Sequence, residues 1–156
     1  MQQRVKTFFI CIAIPLLVGG ISALLSQNSM ETFQQLNKPP LSPPGFLFPI
    51  VWTFLYILMG IASYLIITSN EDKQQIQPAF VLYGLQLFVN FWWSIFFFNF
   101  EWYLFSFLWL ILLWLLIYFT IQAFYGISKI AGYLMIPYLL WVTFAGYLNF
   151  FIFLLN

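Results

Sequence analysis

The chain has 156 residues, of which 63% are hydrophobic and only 6% are charged, whereas an ordinary soluble domain is about 45–50% apolar and about 25% charged. This composition excludes a soluble globular fold, and the five scattered basic residues exclude the clustered positive face of a nucleic-acid-binding protein. The chain contains no histidine, which removes the commonest metal ligand and the usual general base, so no metal site is predicted.

Five apolar runs are long enough to cross a membrane. A helix rises 1.5 Å per residue, so about 20 apolar residues cross roughly 30 Å of hydrocarbon. We therefore predict an all-α membrane protein, a five-transmembrane-helix bundle formed by one domain over residues 1–156. The predicted spans are about 7–26, 47–68, 78–98, 102–124 and 131–155.

The longest predicted loop joins the first and second spans. Met30, Phe33 and Leu36 recur there at helical spacing, and residues 38–45 (KPPLSPPG) follow them. Four prolines within six residues forbid a continuous helix, because proline lacks the backbone N–H and restricts the residue before it. The second half of this loop is therefore expected to be non-helical.

The remaining connections are short. The polar run at residues 69–75 (SNEDKQQ) closes the second span, and residues 99–101 are all that separates the third span from the fourth. The third and fourth spans must therefore form a tight antiparallel hairpin.

The few charges predict the orientation of the bundle. With five spans the termini face opposite sides, which places Arg4, Lys6, Lys73 and Lys129 on the N-terminal side and Lys38 alone on the other. Because cytoplasmic loops carry the excess of basic residues, we expect a multi-pass cell-membrane protein with a cytoplasmic N-terminus. The Pro-rich loop and the C-terminus are then expected outside.

The predicted spans contain uncharged polar residues but no charged ones. Charged residues inside spans mark proton and ion pathways, and inverted repeats mark secondary transporters; this sequence shows neither. At about 100° per residue, polar and aromatic side chains instead share helix faces. Three helices each present a tryptophan to one interior: Trp52 with Tyr56 on the second span, Gln86 and Asn90 with Trp93 on the third, and Trp141 with Ala145 and Leu148 on the fifth.

A purely structural interpretation of these faces is also open. Asn90 and Gln86 suit hydrogen bonds between helices, which are worth about 0.6–2 kcal/mol each. Trp52 and Trp141 suit simple packing. The sequence pattern alone does not choose between a packed core and a ligand site.

Three segments resemble the translocator protein family, also called the TspO or peripheral benzodiazepine receptor family, whose bacterial members include tryptophan-rich sensory proteins. They are the Pro-rich loop with VWTFLY at residues 51–56, the run from Tyr83 to Phe97, and PYLLW at residues 137–141 with Phe144-Ala145 and Leu148-Asn149. The three segments occur in the family's order and cover nearly the whole chain.

This resemblance implies a five-helix bundle, often a homodimer, with a ligand cavity under the first loop. It implies binding of tetrapyrroles such as protoporphyrin IX and of synthetic benzodiazepine-receptor-type ligands, with no intrinsic cofactor. It also implies light-dependent oxidation of protoporphyrin IX, for which Trp52 and Trp141 are the residues carried over by position. The ligand-binding residues expected by position are Trp52, Tyr56, Gln86, Asn90, Trp93, Trp141, Phe144, Ala145 and Leu148.

The sequence departs from the family pattern at three places. Leu41 and Phe46 stand where many members have tryptophan, which predicts a lid with weaker ligand contacts. Tyr147 is followed by neither Lys nor Arg, so the sterol-recognition pattern is incomplete and sterol binding is not predicted.

The leading hypothesis is a membrane receptor or sensor that binds tetrapyrroles and drug-like hydrophobic ligands within the bundle. A flat macrocycle suits an aromatic-walled pocket with a few polar groups. The alternative is a facilitative transporter of porphyrins or similar molecules, and a third hypothesis is a structural membrane subunit without a ligand.

Overall fold

A computed structural model describes residues 1–26 and 29–156 of the chain. Five helices in this part are long and apolar enough to cross a membrane. The described residues contain no β-strand. The predicted all-α, multi-pass membrane protein with five transmembrane helices is therefore confirmed.

The helices follow one another with short connections, apart from the first loop. They are α1 (Gln2–Leu25), α2 (Ser29–Gln35), α3 (Leu47–Ile67), α4 (Lys73–Ser94), α5 (Tyr103–Ile127), α6 (Lys129–Leu134) and α7 (Ile136–Leu155). Helix α4 continues into a π-helical turn, Ile95–Asn99, and α6 and α7 together form the fifth span.

Several helices are longer than the predicted spans at their polar ends. Helix α1 begins at Gln2 rather than near residue 7, and α4 begins at Lys73 rather than near residue 78. The predicted turn at residues 69–75 thus ends at Asp72, whose extended backbone (φ −64°, ψ 150°) is typical of the residue before a helix. The hydropathy pattern identified the apolar part of each helix, whereas the helices continue into the neighbouring polar residues.

The predicted fifth span is present at Lys129–Leu155, but its helix has a break that the sequence analysis did not predict. It is interrupted at Met135, between α6 and α7. Pro137 stands in the first turn of α7, where its missing N–H breaks no hydrogen bond of that helix but prevents a regular one with α6. Ser128 starts α6 by accepting a hydrogen bond from the Ala131 amide at 3.3 Å.

The five spans pack in a ring. Helix α1 packs against α3 and α4, helix α5 against α4 and α7, and α6 fills the space between α3 and α5. The α1–α3 contact is especially close at Gly60, where a Cβ atom would lie 2.5 Å from Ile12 Cα and 2.8 Å from the Cys11 carbonyl oxygen. Only glycine allows this approach.

The tightest part of the core lies at the end of the bundle that holds the N-terminus. Met59, Ile66, Ile117 and Met135 are each fully buried there. The outer faces of the spans are apolar and exposed, as hydrocarbon requires. The opposite end of the bundle is packed less completely and contains the cavity described below.

The first loop is fastened to the C-terminal end of α7. The Tyr147 hydroxyl donates to the Pro40 carbonyl oxygen at 2.7 Å, and Asn156 Nδ2 donates to the Asn37 carbonyl oxygen at 2.9 Å. Phe33 of α2 packs against Leu148 and Ile152 in the same region. The loop therefore covers one end of the helix ring.

Candidate ligand-binding site

A cavity of about 190 Å³ lies beneath the first loop. Its walls come from α1, α3, α4, α5 and α7, and the loop contributes Met30, Phe33 and Gly45. Seven of the nine residues expected to bind a ligand line it: Trp52, Tyr56, Asn90, Trp93, Trp141, Ala145 and Leu148.

Trp52 forms the α3 wall. Its ring stacks on Tyr56, one turn further along the helix, with ring centroids 5.5 Å apart and planes at 28°. It also meets the edge of Tyr138 from α7 at 6.1 Å. Gly19 of α1 makes room for this stack, since a side chain at that position would collide with the Tyr56 ring.

Trp93 forms the α4 wall in a fixed orientation. Its ring stacks on Phe97 at 5.1 Å, and its Nε1 donates a hydrogen bond to Asn149 Oδ1 at 3.0 Å. Asn149 Nδ2 in turn donates to the Tyr103 carbonyl oxygen at 2.8 Å. The indole N–H of Trp93 is therefore not available to a ligand.

Trp141 forms the α7 wall, and its indole N–H, unlike that of Trp93, has no hydrogen-bond partner in the described structure. Its ring lies 5.7 Å from Phe48 and 5.6 Å from Phe144. Its Nε1 is buried and has no hydrogen-bond partner among the described residues. Within the described structure this indole N–H is therefore an unpaired buried donor on a residue that lines the cavity.

A chain of buried hydrogen bonds runs behind the tryptophans. Tyr56 donates to Asn90 Oδ1 at 2.8 Å, Asn90 Nδ2 donates to the Tyr138 hydroxyl at 2.7 Å, and that hydroxyl donates to Gln86 Oε1 at 2.7 Å. Both polar atoms of Asn90 are thus satisfied within the protein.

Two of the expected residues do not line the cavity. Gln86 lies one helical turn before Asn90 and is fully buried. The Tyr138 hydroxyl lies between the two side-chain amides and bonds to both of them. Phe144 packs behind Trp141 and stacks on Tyr147 at 6.0 Å. For these two residues the expected place in the cavity lining is wrong, while their contact with a bound ligand stays a prediction.

Three serines that sequence analysis missed also line the cavity. Ser22 and Ser26 of α1 and Ser94 of α4, here called the serine cluster, contact one another through their hydroxyls at 2.7–2.8 Å. The spacing of Ser22 and Ser26, four residues apart on one helix face, was the available signal. Ser94 had none, because its partners are 68 and 72 residues away.

The chain matches the family model described as TspO/MBR family over residues 11–155. It belongs to the TspO/MBR family.

Relatives of this TspO/MBR chain cover nearly all of its length. A tryptophan-rich protein TspO from Chlorobaculum tepidum is 38% identical over 100% of this chain and 99% of its own. A tryptophan-rich sensory protein from Cereibacter sphaeroides is 34% identical over 92% of this chain and 85% of its own. A translocator protein from Bos taurus is 31% identical over 88% of this chain and 82% of its own.

The polar chemistry of this TspO/MBR cavity is limited to hydroxyls, amides and indole N–H groups. Its described lining includes no Lys, Arg, Asp or Glu, and the described residues contain no cluster of three metal-ligating side chains of the His, Cys, Asp or Glu type. Such a lining suits the orientation of an apolar, flat ligand through a few hydrogen bonds.

Proposed function

We propose that this TspO/MBR-family protein is a membrane receptor that binds tetrapyrroles such as protoporphyrin IX in the cavity beneath the first loop. The supporting observation is that Trp52, Trp93 and Trp141, from three different helices, line one space. Tryptophan faces stack well on extended π systems. The same lining suits synthetic drug-like ligands of the benzodiazepine-receptor type.

The free indole N–H of Trp141 supports a ligand with a hydrogen-bond acceptor. A buried donor without a partner costs about 1–3 kcal/mol, and Trp141 Nε1 is such a donor in the described structure. A ligand that displaces Phe48 from the Trp141 ring can bring a carbonyl or carboxylate oxygen to this N–H. Trp93, by contrast, is satisfied by Asn149 and contributes its ring alone.

The size of the cavity requires movement on binding. About 190 Å³ is less than the roughly 300–1,000 Å³ of typical small-molecule pockets. The ring centroids of Phe33 and Phe48 are 5.0 Å apart, and those of Phe48 and Trp141 are 5.7 Å apart. A row of three aromatic rings therefore fills the space next to the loop. We expect a macrocycle to displace Phe33 and Phe48 and to take their place against Trp141.

Titration of the purified protein with protoporphyrin IX, followed by tryptophan quenching, tests this proposal. Trp141→Phe is expected to keep most of the affinity, because the aromatic wall remains, whereas Trp141→Ala is expected to lose about 1 kcal/mol or more. Trp102→Phe is the matched control, because Trp102 is half-exposed and lies outside the cavity lining. Equal affinity of all variants would place the ligand elsewhere.

We further propose that Trp52 and Trp141 support light-dependent oxidation of the bound porphyrin by dioxygen. Indole is an oxidisable ring and the phenyl ring of Phe is not, so replacing both tryptophans with Phe keeps the walls and removes the reactive partner. The double variant is expected to bind porphyrin and to bleach it no faster than detergent alone under illumination. Normal binding with the wild-type product at the wild-type rate would restrict both residues to a packing role.

Facilitative transport of the same ligands is the alternative function. The name of the Bos taurus relative, translocator protein, favours it. Porphyrin flux into proteoliposomes distinguishes the two functions, because a receptor binds the ligand without flux across the bilayer.

A further inference from the structure

The serine cluster is the part of the cavity lining that the proposed function does not use. Its three hydroxyls lie where the last turn of α1 meets the end of α4, whereas Trp52 and Trp141 come from α3 and α7. We propose that the serine cluster is a hydrogen-bond-accepting subsite that binds a neutral N–H or O–H donor at the edge of the ligand. This inference rests on the proposed function and narrows its ligand class.

The serine cluster has fewer hydroxyl hydrogens than short oxygen–oxygen contacts. Ser22 Oγ lies 2.7 Å from the Phe91 carbonyl oxygen and 2.8 Å from Ser94 Oγ. Ser26 Oγ lies 2.8 Å from the Ser22 carbonyl oxygen and 2.7 Å from Ser94 Oγ. Each hydroxyl has one hydrogen and two lone pairs, so three hydrogens serve four short contacts. Within residues 1–26 and 29–156 the cluster therefore has unused acceptor lone pairs and one O···O contact without a hydrogen.

Ser94 is the member of the cluster that is most available to a ligand. Ser22 and Ser26 each have a backbone carbonyl partner, whereas the contacts of Ser94 in the described structure are the other two hydroxyls. Ser94 is half-buried and lines the cavity. A donor on the ligand can therefore reach Ser94 Oγ without displacing a backbone hydrogen bond.

The electrostatics of this wall favour a neutral donor over an anion. Ser22 and Ser26 lie at the C-terminal end of α1, which ends at Leu25, and the C-terminal end of a helix carries a partial negative charge. The described lining offers no Lys or Arg to offset it. A carboxylate is therefore disfavoured here, whereas an amide N–H, a hydroxyl or an un-ionised carboxylic acid is favoured.

The other polar groups of the lining do not compete for this role. Asn90 is satisfied by Tyr56 and Tyr138, and Asn149 by Trp93 and Tyr103. Trp141 Nε1 is an unpaired donor in the described structure and suits a ligand acceptor instead. The cavity thus suits a flat ligand with a donor at one place on its edge and an acceptor at another.

Two neutral porphyrins with the same ring test this assignment. The two compounds share the central pyrrole N–H groups and differ at their side chains: the ester groups of protoporphyrin IX dimethyl ester carry acceptors only, whereas the amide groups of the corresponding diamide carry N–H donors as well. By tryptophan quenching in detergent, the wild-type protein is expected to bind the diamide about fivefold more tightly than the diester, the equivalent of one ordinary hydrogen bond. Ser94→Ala is expected to reduce this ratio to about one.

Three features of the design keep the test specific. Ser94→Ala leaves Ser22 and Ser26 with their carbonyl partners, so the helix contact survives, and Ser94→Thr restores a hydroxyl and with it the preference. Ser63→Ala is the matched control, because Ser63 is buried, bonds to the Gly60 carbonyl oxygen and lies outside the lining. It is expected to keep the wild-type ratio.

Contrary results separate the two proposals. Equal affinity of the wild-type protein for diamide and diester, or a preference that persists in Ser94→Ala, would overturn the subsite while leaving tetrapyrrole binding intact. A Ser94-dependent preference for the ionised diacid over the diamide would also overturn it, by showing that the hydroxyls donate to a carboxylate. Failure of all three porphyrins to quench the wild-type protein would overturn the proposed function and this inference together.

Discussion

Tyr56 on α3 donates its hydroxyl hydrogen to Asn90 on α4 at 2.8 Å, in the middle of the bundle. Asn90 Nδ2 donates a hydrogen bond to the Tyr138 hydroxyl on α7, and that hydroxyl donates one to Gln86 Oε1. These bonds connect three spans at a depth where hydrocarbon offers no alternative partner. The structural interpretation of the sequence pattern therefore applies to Asn90 and Gln86, and contact between Asn90 and a ligand stays a prediction.

The Tyr138 hydroxyl is the most connected member of this chain, so Tyr138→Phe should destabilise the bundle. The variant leaves Asn90 Nδ2 and Gln86 Oε1 without partners, and we expect a loss of about 1–2 kcal/mol. Thermal unfolding of the purified protein in detergent measures it. Tyr118→Phe is the control, because Tyr118 is exposed and its hydroxyl accepts a hydrogen bond from Gln122 of its own helix rather than joining two spans. Equal unfolding temperatures for the two variants would contradict the structural role of the chain.

The close approach of α1 and α3 predicts a different effect for two glycines. In Gly60→Ala the new Cβ meets the backbone of Ile12 and Cys11, which cannot move aside as a flexible side chain does, so we expect destabilisation of about 1–3 kcal/mol. Gly84→Ala adds a Cβ with no atom within 4 Å and is expected to be neutral or slightly stabilising, since alanine favours the helix. Unfolding temperatures in one detergent compare the pair. A neutral Gly60→Ala would show that the two helices are further apart than described.

The orientation of the bundle remains a prediction from the basic residues. Four of them, Arg4, Lys6, Lys73 and Lys129, lie at the end with the N-terminus, which we expect to be cytoplasmic. In a Cys11→Ser background, Asn70→Cys should be shielded from an impermeant thiol reagent in intact cells, and Gln34→Cys in the exposed first loop should react. The reverse labelling pattern would invert the topology.

The number of spans and most of the cavity walls were predictable from sequence. Five apolar runs determine five helices, and the helical period of 3.6 residues places Trp52, Trp93 and Trp141 on interior faces. This prediction needs only local spacing. It succeeded because the spacing of residues within one helix determines which side chains share a face, independently of the neighbouring helices.

The parts that were missed depend on how helices meet. Gln86 shares its helix face with Asn90, and only the position of Tyr138, 52 residues away, places it outside the cavity. The contact between Ser94 and Ser22 likewise joins residues 72 positions apart. Helix ends were misjudged for another reason: polar residues such as Gln2 and Lys73 are compatible with a helix outside the hydrocarbon.

The central claim is that the ligand occupies the cavity between α3, α4 and α7, and a cavity-filling variant tests it most directly. Ala145 is buried and lines the cavity, so Ala145→Phe places a phenyl ring where the porphyrin is expected to lie. Leu140→Phe adds the same ring to α7 at a position that is 64% exposed and outside the lining. In a protoporphyrin IX titration we expect Leu140→Phe to bind as the wild-type protein does and Ala145→Phe to bind at least about tenfold more weakly, equivalent to about 1.4 kcal/mol. Wild-type affinity in a folded Ala145→Phe protein would contradict the account.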